Sequence, residues 1–338
     1  MKLRIGVLCP SEIAFRRFAP AIKELEDSFE FVGVAHANEV EWFGKVSSDN
    51  NLSVLESDFI KAKKFVETYG GKVFNSFMEL ISCDDVDAIY IPLPPALHYK
   101  WAKICLENKK HVLLEKPSTT KYEDTKELID IAIKNNLALH ENYMFRFHNQ
   151  ISEVINFVNE KNIGIPYLYR LNFGFPFRGK NDFRYNQKLG GGALLDCGGY
   201  TIKLANIILG EDCKLNYHFL NYDKELGVDI FGYGVLTNNN GTICEVAFGM
   251  NNEYKCELEV WGSKGYFSTN RIFTAPAGFI PEGKLISGGK EYKMDLPMDD
   301  TFKKSIVYFS NCILNSDIRN ESYKEILKQA DFIEQFRR

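Results

Sequence analysis

The chain has 338 residues, enough for about two domains, and its 45% hydrophobic and 25% charged residues are the mix of an ordinary globular protein. A net charge of −4 leaves no basic footprint for nucleic acid, and no apolar run approaches the roughly 18 residues of a membrane span. The N-terminus runs straight into a strand with no signal-peptide pattern, so a cytoplasmic location is expected.

The first third alternates strand and helix. Strands are predicted at 3–8, 31–35, 87–91 and 111–115, as short apolar runs of the kind covered on both faces. Helices lie between them; Leu97, Trp101, Ile104 and Cys105 recur at helical spacing before Asn108-Lys109-Lys110 ends that helix. The alternation implies a parallel sheet with right-handed crossovers. Residues 36–57 are polar and aperiodic, and are read as a long inserted loop with one short helical turn. A further helix, a strand over 137–140 and a helix near 150–160 follow. From about 166 the pattern alternates, as in half-buried antiparallel strands, with more strands near 214–222, 228–237, 242–250 and 254–261. A helix over 193–209 interrupts them, and helices near 300–315 and 320–337 close the chain. The expected fold class is α/β: an N-terminal doubly wound parallel sheet over 1–121, then an α+β domain over 122–338 with a large, mostly antiparallel open sheet. The final helices are allowed to pack back on the first domain.

Eight cysteines (Cys9, Cys83, Cys105, Cys197, Cys213, Cys244, Cys256 and Cys312) form no C-x-x-C pair and no zinc spacing. They read as small buried hydrophobes, and no metal is expected.

Three segments carry chemistry. "HVLLEKP" is a buried strand ending in Glu115-Lys116-Pro117, which puts Lys116 at the carboxyl end of a parallel strand, where ligands of doubly wound sheets bind. Pro117 biases Lys116 toward an extended backbone. "YIPLPPALH" places Pro92, Leu93, Pro94, Pro95 and His98 between a buried strand and a helix, stiffening the same crevice edge. "LGGGALLDCGGY" spaces Asp196 and Tyr200 at i and i+4, a carboxylate and a phenol on one helix face.

With these segments, and with "ENYMFRFHNQ" between them, the chain resembles the glucose-fructose oxidoreductase / inositol dehydrogenase / rhizopine catabolism (Gfo/Idh/MocA) family over nearly its whole length. The resemblance implies a Rossmann domain followed by a C-terminal domain whose open sheet often forms the oligomer interface, hence a homodimer or homotetramer. It implies hydride transfer between NAD or NADP and a hydroxyl or carbonyl carbon of a sugar, polyol or nucleotide-linked sugar. Lys116 matches the family's E-K-P lysine. Tyr200 stands where inositol-dehydrogenase-like members carry histidine, which looks like the branch with a tyrosine acid/base. Physical chemistry points the same way: an ordinary tyrosine, pKa about 10, is a poor base at neutral pH, and a lysine beside it favours the phenolate. Asp196 would orient the substrate; Arg146 and Arg184 join Lys116, Asp196 and Tyr200 as substrate-binding candidates, with a salt bridge left open as the alternative for Arg184.

The family's glycine turn, G-x-G-x-x-G/A, falls on Cys9, Ser11 and Ala14, so two of its three positions depart from glycine. Ser11 is small, Pro10 stiffens the turn, and the helix start still presents N–H groups to a phosphate. The candidate cofactor contacts are Cys9, Pro10, Ser11, Glu12, Ile13, His36, Pro92, Leu93, Pro94, His98, Glu115, Lys116 and Asn142. The second strand ends Ala35-His36-Ala37-Asn38, without the acid typical of NAD sites or the Ser-Arg of many NADP sites, and leaves the choice open. Two other functions stay open: a glycosidase of the same superfamily using NAD transiently, and a non-catalytic dinucleotide- or sugar-binding regulatory protein.

Overall fold

The computed structural model describes residues 2–44 and 53–338. The chain divides into two compact units: Met1–Thr119, Glu123–Asn142 and Ser305–Ile326 form the first, and Thr120–Tyr122, Tyr143–Lys304 and Leu327–Arg338 the second.

The first unit is built on a six-stranded parallel sheet: β1 (Leu3–Val7), β2 (Phe29–Ala35), β3 (Lys72–Phe74), β4 (Ala88–Ile91), β5 (His111–Leu114) and β6 (Leu139–Glu141). Their order in space is β3-β2-β1-β4-β5-β6, which reverses between β1 and β4 and makes that point the ligand crevice of a doubly wound sheet. All four residues of β4 are buried, as a strand covered on both faces requires. β3, three residues long, is too short to show a pattern in the sequence. It pairs where Gly33, at φ +152°, lets the Lys72 backbone come closer than any side chain would allow.

The helices of this unit follow their strands. A π-helical turn (Ala14–Phe18) runs into α1 (Ala19–Glu24). The region read as a loop over 36–57 contains α2 (Glu39–Phe43) and the start of α3 (Ser53–Tyr69); the intervening residues 45–52 lie outside the described residues. α2 is held by a capping box: Asn38 accepts the Glu41 N–H at 2.9 Å, and Glu41 accepts the Asn38 N–H at 3.0 Å. The same Glu41 carboxylate accepts the Phe77 and Met78 N–H groups, capping α4 (Phe77–Ile81). α3 lays Phe65 against Phe31 and Phe15 (5.5 and 5.6 Å between rings), and Tyr69 donates to the Phe15 carbonyl. α5 (Pro95–Glu107) and α6 (Tyr122–Asn135) connect β4 to β5 and β5 to β6.

The second unit opens with α7 (Asn149–Asn159). Its eight strands are β7 (Pro166–Phe175), β8 (Lys214–Asp223), β9 (Val228–Thr237), β10 (Ile243–Met250), β11 (Lys255–Gly262), β12 (Gly265–Asn270), β13 (Glu282–Ser287) and β14 (Lys290–Asp295). They form one sheet in the order β14-β13-β12-β11-β7-β10-β9-β8, antiparallel except for β7 beside β10. A π-helical turn (Leu194–Gly198) leads into α8 (Gly199–Leu209). One face of the sheet, with Leu171, Phe173, Val246, Phe248, Leu258 and Val260, is buried in a core shared with α7 and α8. The terminal helices are α9 (Thr301–Leu314) and α10 (Ser316–Gln335), and Phe332, Ile333 and Phe336 join the same core.

The other face of this sheet carries a cross-strand row Ile243–Leu168–Trp261–Tyr266–Ile286, one residue from each of five neighbouring strands. Trp261 in this row is 60% exposed. Among the described residues no helix is long and apolar enough to cross a membrane, and no cluster of three or more His, Cys, Asp or Glu could hold a metal. None of the eight cysteines is in a disulfide.

Candidate active site

In the first unit the turn after β1 solves the glycine problem with a serine. The Ser11 hydroxyl accepts the Ala14 N–H at 3.2 Å, its carbonyl accepts the Phe15 N–H at 3.0 Å, and its own N–H reaches back to the Cys9 carbonyl at 2.8 Å. Ser11 is thus the cap of the following helix, and the amides of Glu12 and Ile13 are those a helix start offers to an anion. The turn sits at the end of β1, beside the switch point to β4, where the Leu8 N–H bonds the Tyr90 carbonyl at 2.9 Å. These residues fit a dinucleotide pyrophosphate. Burial, helped by Asp58 and opposed by Lys61, pushes the Cys9 thiol up to about 12. Asp58 of α3 is buried and paired to Lys61 at 2.8 Å. Arg16 pairs with Glu12 on the solvent side at 3.5 Å.

At the end of β2, His36 packs its ring on Phe59 of α3 (5.2 Å). Asn38 and Glu41, the nearby side chains suited to ribose hydroxyls, are engaged in the capping box described above.

His98 is one of the candidate cofactor contacts named from the sequence. It is fully buried in α5, and its nitrogens lie 2.8 Å from the Pro117 carbonyl and 2.6 Å from the Leu93 carbonyl. Burial drives its pKa down to about 4, against the pull of those two carbonyls and with the charge of Lys116 adding to the fall. The ring lies between the 92–95 turn and the 116–118 turn, and as a neutral imidazole it donates to one of the two carbonyls. Glu115 and Asn142 are buried as well. Glu115 accepts the Tyr90 hydroxyl and the Asn142 amide, each at 2.7 Å, and burial raises its pKa. Asn142 accepts the Ser305 hydroxyl at 2.8 Å, and Ser305 lies 3.1 Å from His140 Nε2. This chain, with Tyr90 stacked on Phe18 at 4.4 Å, braces the strand end from which Lys116 projects. Lys116 itself is half-buried, and its peptide bond to Pro117 is cis. Tyr90, His140 and Ser305 were not singled out in the sequence; each sits in an ordinary apolar or helical run with no spacing signal.

In the second unit, Tyr200 lies on the first turn of α8 inside a ring of aromatics. Tyr143 meets it edge-on at 5.4 Å, with Phe173 at 5.3 Å, Phe145 at 5.6 Å and Phe273 at 6.0 Å. The two glycines before it have ordinary helical φ values of −62° and −56°, so they are not needed for backbone freedom. They are needed for approach: a Cβ at 199 would overlap the Tyr143 hydroxyl, and one at 198 would lie 2.9 Å from the Phe248 ring. Asp196 accepts from Arg184 Nε at 2.6 Å, and the Arg184 guanidinium also reaches Asp182 at 3.1 Å. Arg184 and Asp196 are therefore brought together, while Arg146 stacks over Phe147 at 5.1 Å. The N-terminus of this helical run is held by Asp229, which accepts the Leu194 N–H at 2.6 Å. Asp182 and Asp229 gave no signal in the sequence, since Asp182 sits in a polar turn and Asp229 at the start of a strand, neither at a motif spacing.

Comparison with known proteins places these features in context. A family profile described as an oxidoreductase family with an NAD-binding Rossmann fold matches residues 11–143, and a GFO/IDH/MocA C-terminal domain profile matches 151–268. The chain is 33% identical over 335 residues to dTDP-3,4-didehydro-2,6-dideoxy-alpha-D-glucose 3-reductase of Actinomadura kijaniata, covering 99% of this chain and 95% of that one. It is 26% identical over 294 residues to a D-xylose 1-dehydrogenase (NADP(+)) of Haloferax volcanii, covering 86% and 90%. Its fold superposes with a TM-score of 0.89 on a 3-ketoreductase from Actinomadura kijaniata crystallised with NADP and TDP-benzene, at 33% identity over 100% of this chain and 97% of that one.

Proposed function

The chain belongs to the Gfo/Idh/MocA oxidoreductase family, and from that premise we propose that it reduces a keto group on a dTDP-linked sugar with NADPH, Tyr200 giving the proton and Lys116 assisting. It is an NAD(P)-dependent sugar oxidoreductase. The observation that carries the finer reading is end-to-end likeness to a dTDP-sugar 3-reductase in a chain that carries Lys116, Asp196 and Tyr200. NADP(H) is favoured over NAD(H) because β2 ends without a carboxylate and Asn38 is engaged as a cap.

The bound cofactor supplies the hydride. A tyrosine with an ordinary pKa of about 10 is protonated at neutral pH, the state a reduction needs. Tyr200 donates its hydroxyl proton to the carbonyl oxygen as the carbon takes the hydride, so a ketone becomes an alcohol and a phenolate remains. The Lys116 ammonium favours that phenolate until water reprotonates it. The aromatic ring of Tyr143, Phe145, Phe173 and Phe273 packs around the phenol ring and holds its χ angles. Asp196 accepts a substrate hydroxyl and fixes the sugar's orientation. The exposed apolar row through Trp261 supports self-association through the second unit's sheet, as a dimer or tetramer.

The test is NADPH oxidation by the purified chain with dTDP-3,4-didehydro-2,6-dideoxy-alpha-D-glucose, in wild type and Tyr200→Phe. Turnover that falls about 100-fold or more in Tyr200→Phe, with NADPH affinity unchanged, is expected. Turnover of free aldoses with NADP⁺, and none of the dTDP-ketosugar, would refute the reading.

A further inference from the structure

We propose that Arg184 is the positioning residue of Asp196: it acts on the substrate through that carboxylate, and the glycine run 190–192 is what delivers it there. The inference rests on the function proposed above, since it assigns Asp196 a substrate to orient.

Arg184 is pinned on several sides. Its Nε donates to Asp196 Oδ2 at 2.6 Å, and one terminal nitrogen meets both oxygens of Asp182 at 3.1 and 3.2 Å. The guanidinium lies over the Phe183 ring at 4.5 Å, with Phe175 at 5.9 Å. The three charged side chains are mostly buried: Arg184 and Asp182 are each 21% exposed, Asp196 12%. Charge-assisted bonds of this geometry fix a carboxylate rotamer.

The backbone is shaped to the same end. The Arg184 carbonyl accepts the Gly192 N–H at 2.9 Å, and the Asp196 N–H bonds the Gly192 carbonyl at 3.1 Å. Gly192 therefore links the backbones of the two partners. Gly191 packs so tightly that a Cβ there would overlap the Arg184 carbonyl oxygen, and a Cβ on Gly192 would overlap Asp229. Gly190 and Gly192 take φ of +79° and +121°. Asp182 completes the clasp by accepting the Arg184 N–H at 3.0 Å. The whole segment is a closed loop whose product is the distance between one guanidinium and one carboxylate.

An arginine meant to grip the substrate's diphosphate would present its fork outward. Here Nε and one terminal nitrogen are committed to two carboxylates of the same chain, so the fork is turned toward the protein.

The experiment is a double-mutant cycle of Arg184→Gln and Asp196→Asn, read as kcat, KM for the dTDP-ketosugar and Kd for dTDP. Arg184→Gln should lower kcat by about tenfold to a hundredfold, the effect of a carboxylate misplaced by about 1 Å. The dTDP affinity should stay within about threefold, and the double variant should be no worse than Asp196→Asn alone. Arg184→Lys, which keeps the charge but not the fork, should recover part of the loss, and serves in the cycle if Arg184→Gln fails to fold. Losses that multiply across the cycle, or a tenfold loss of dTDP affinity, would overturn the proposal in favour of a direct anion contact. If the wild type turns over no ketosugar, the proposed function fails on its own. A crystal structure of Arg184→Gln still decides the positioning role: the Asp196 carboxylate must leave its present rotamer, and one that stays in place refutes it.

Discussion

The two glycines before Tyr200 differ in a way that experiment resolves. Both are helical, so replacing either with alanine gains about 1 kcal/mol of helix propensity. At 198 the added methyl would come within 2.9–3.0 Å of three atoms of the Phe248 ring, tight by a few tenths of an ångström. Phe248 is itself fully buried, so its ring must shift by that much, and Gly198→Ala should lose no more than about 1 kcal/mol after the helix gain. At 199 the methyl would occupy the place of the Tyr143 hydroxyl and sit 3.0 Å from its Cζ. Tyr143 is completely buried and wedged edge-on against Tyr200 and Phe145, so the phenol cannot swing away. Overpacking of this kind costs about 1–3 kcal/mol, and here it sits at the upper end, so the net loss after the helix gain is about 2 kcal/mol. That corresponds to roughly 4–8 °C of melting temperature for a domain of this size. Because the displaced ring is the one that abuts Tyr200, kcat should also fall about tenfold or more, while NADPH titration by fluorescence stays at the wild-type value. Calorimetric melts of the two variants are the assay. A Gly199→Ala protein as stable as wild type, or a Gly198→Ala protein less stable than Gly199→Ala, would refute the reasoning.

His98 makes stability depend on pH with a definite sign. Its folded pKa of about 4 lies below the ordinary 6.5, so the unfolded chain binds the proton first, and stability is complete above pH 6.5 and lost as pH falls toward 4. The shift corresponds to about 3 kcal/mol in all and about 2 kcal/mol between pH 7 and pH 5. Urea titrations of wild type and His98→Gln should therefore converge on acidification, and parallel curves would show that the ring is not buried neutral. The row Ile243–Leu168–Trp261–Tyr266–Ile286 should be covered by a second copy of the chain. Light scattering on the wild type should give a dimer or tetramer, Trp261→Glu should lower the assembly state, and a wild-type monomer at micromolar concentration would remove the argument.

The parallel sheet was legible because buried parallel strands are short apolar runs, and β1, β2, β4 and β5 each carry one. β3 was not, because three residues reading Lys-Val-Phe have no period; what places them is the close approach at Gly33, a tertiary fact. β12, β13 and β14 were missed for a related reason. They lie at one end of the sheet, where much of their length is open to solvent, and "KEYKMD" shows no alternation because only Met294 of that strand is even half-buried. The inserted region over 36–57 was read as loop with one short helical turn but without a position for it, since α2 is five residues long with no buried side chain, and the Glu41 carboxylate it shares with α4 is encoded in no local pattern. Among site residues, Asp196 and Tyr200 were legible through their i, i+4 spacing. The burial of His98 was not legible, because a histidine after a proline turn looks the same in sequence whether its ring is open to solvent or, as here, lies against two backbone carbonyls.

The phosphate turn shows how a missing motif can leave its chemistry intact. Glycine serves two purposes there: positive φ, and room for a backbone to approach the pyrophosphate. Cys9, Pro10 and Ser11 all take negative φ, since no positive-φ residue occurs in this turn. The first purpose has therefore lapsed. The second concerns donors, and Ser11 alters their distribution. Its hydroxyl takes the Ala14 N–H, the donor deepest in the first turn, and its carbonyl takes that of Phe15. The donors that remain at the helix start are Glu12 and Ile13, beside the switch point of the sheet. A serine cap thus narrows the anion site to its outermost amides instead of closing it. Ser11→Gly would free the Ala14 amide and add a donor, whereas a bulky residue at 11 would cover all of them.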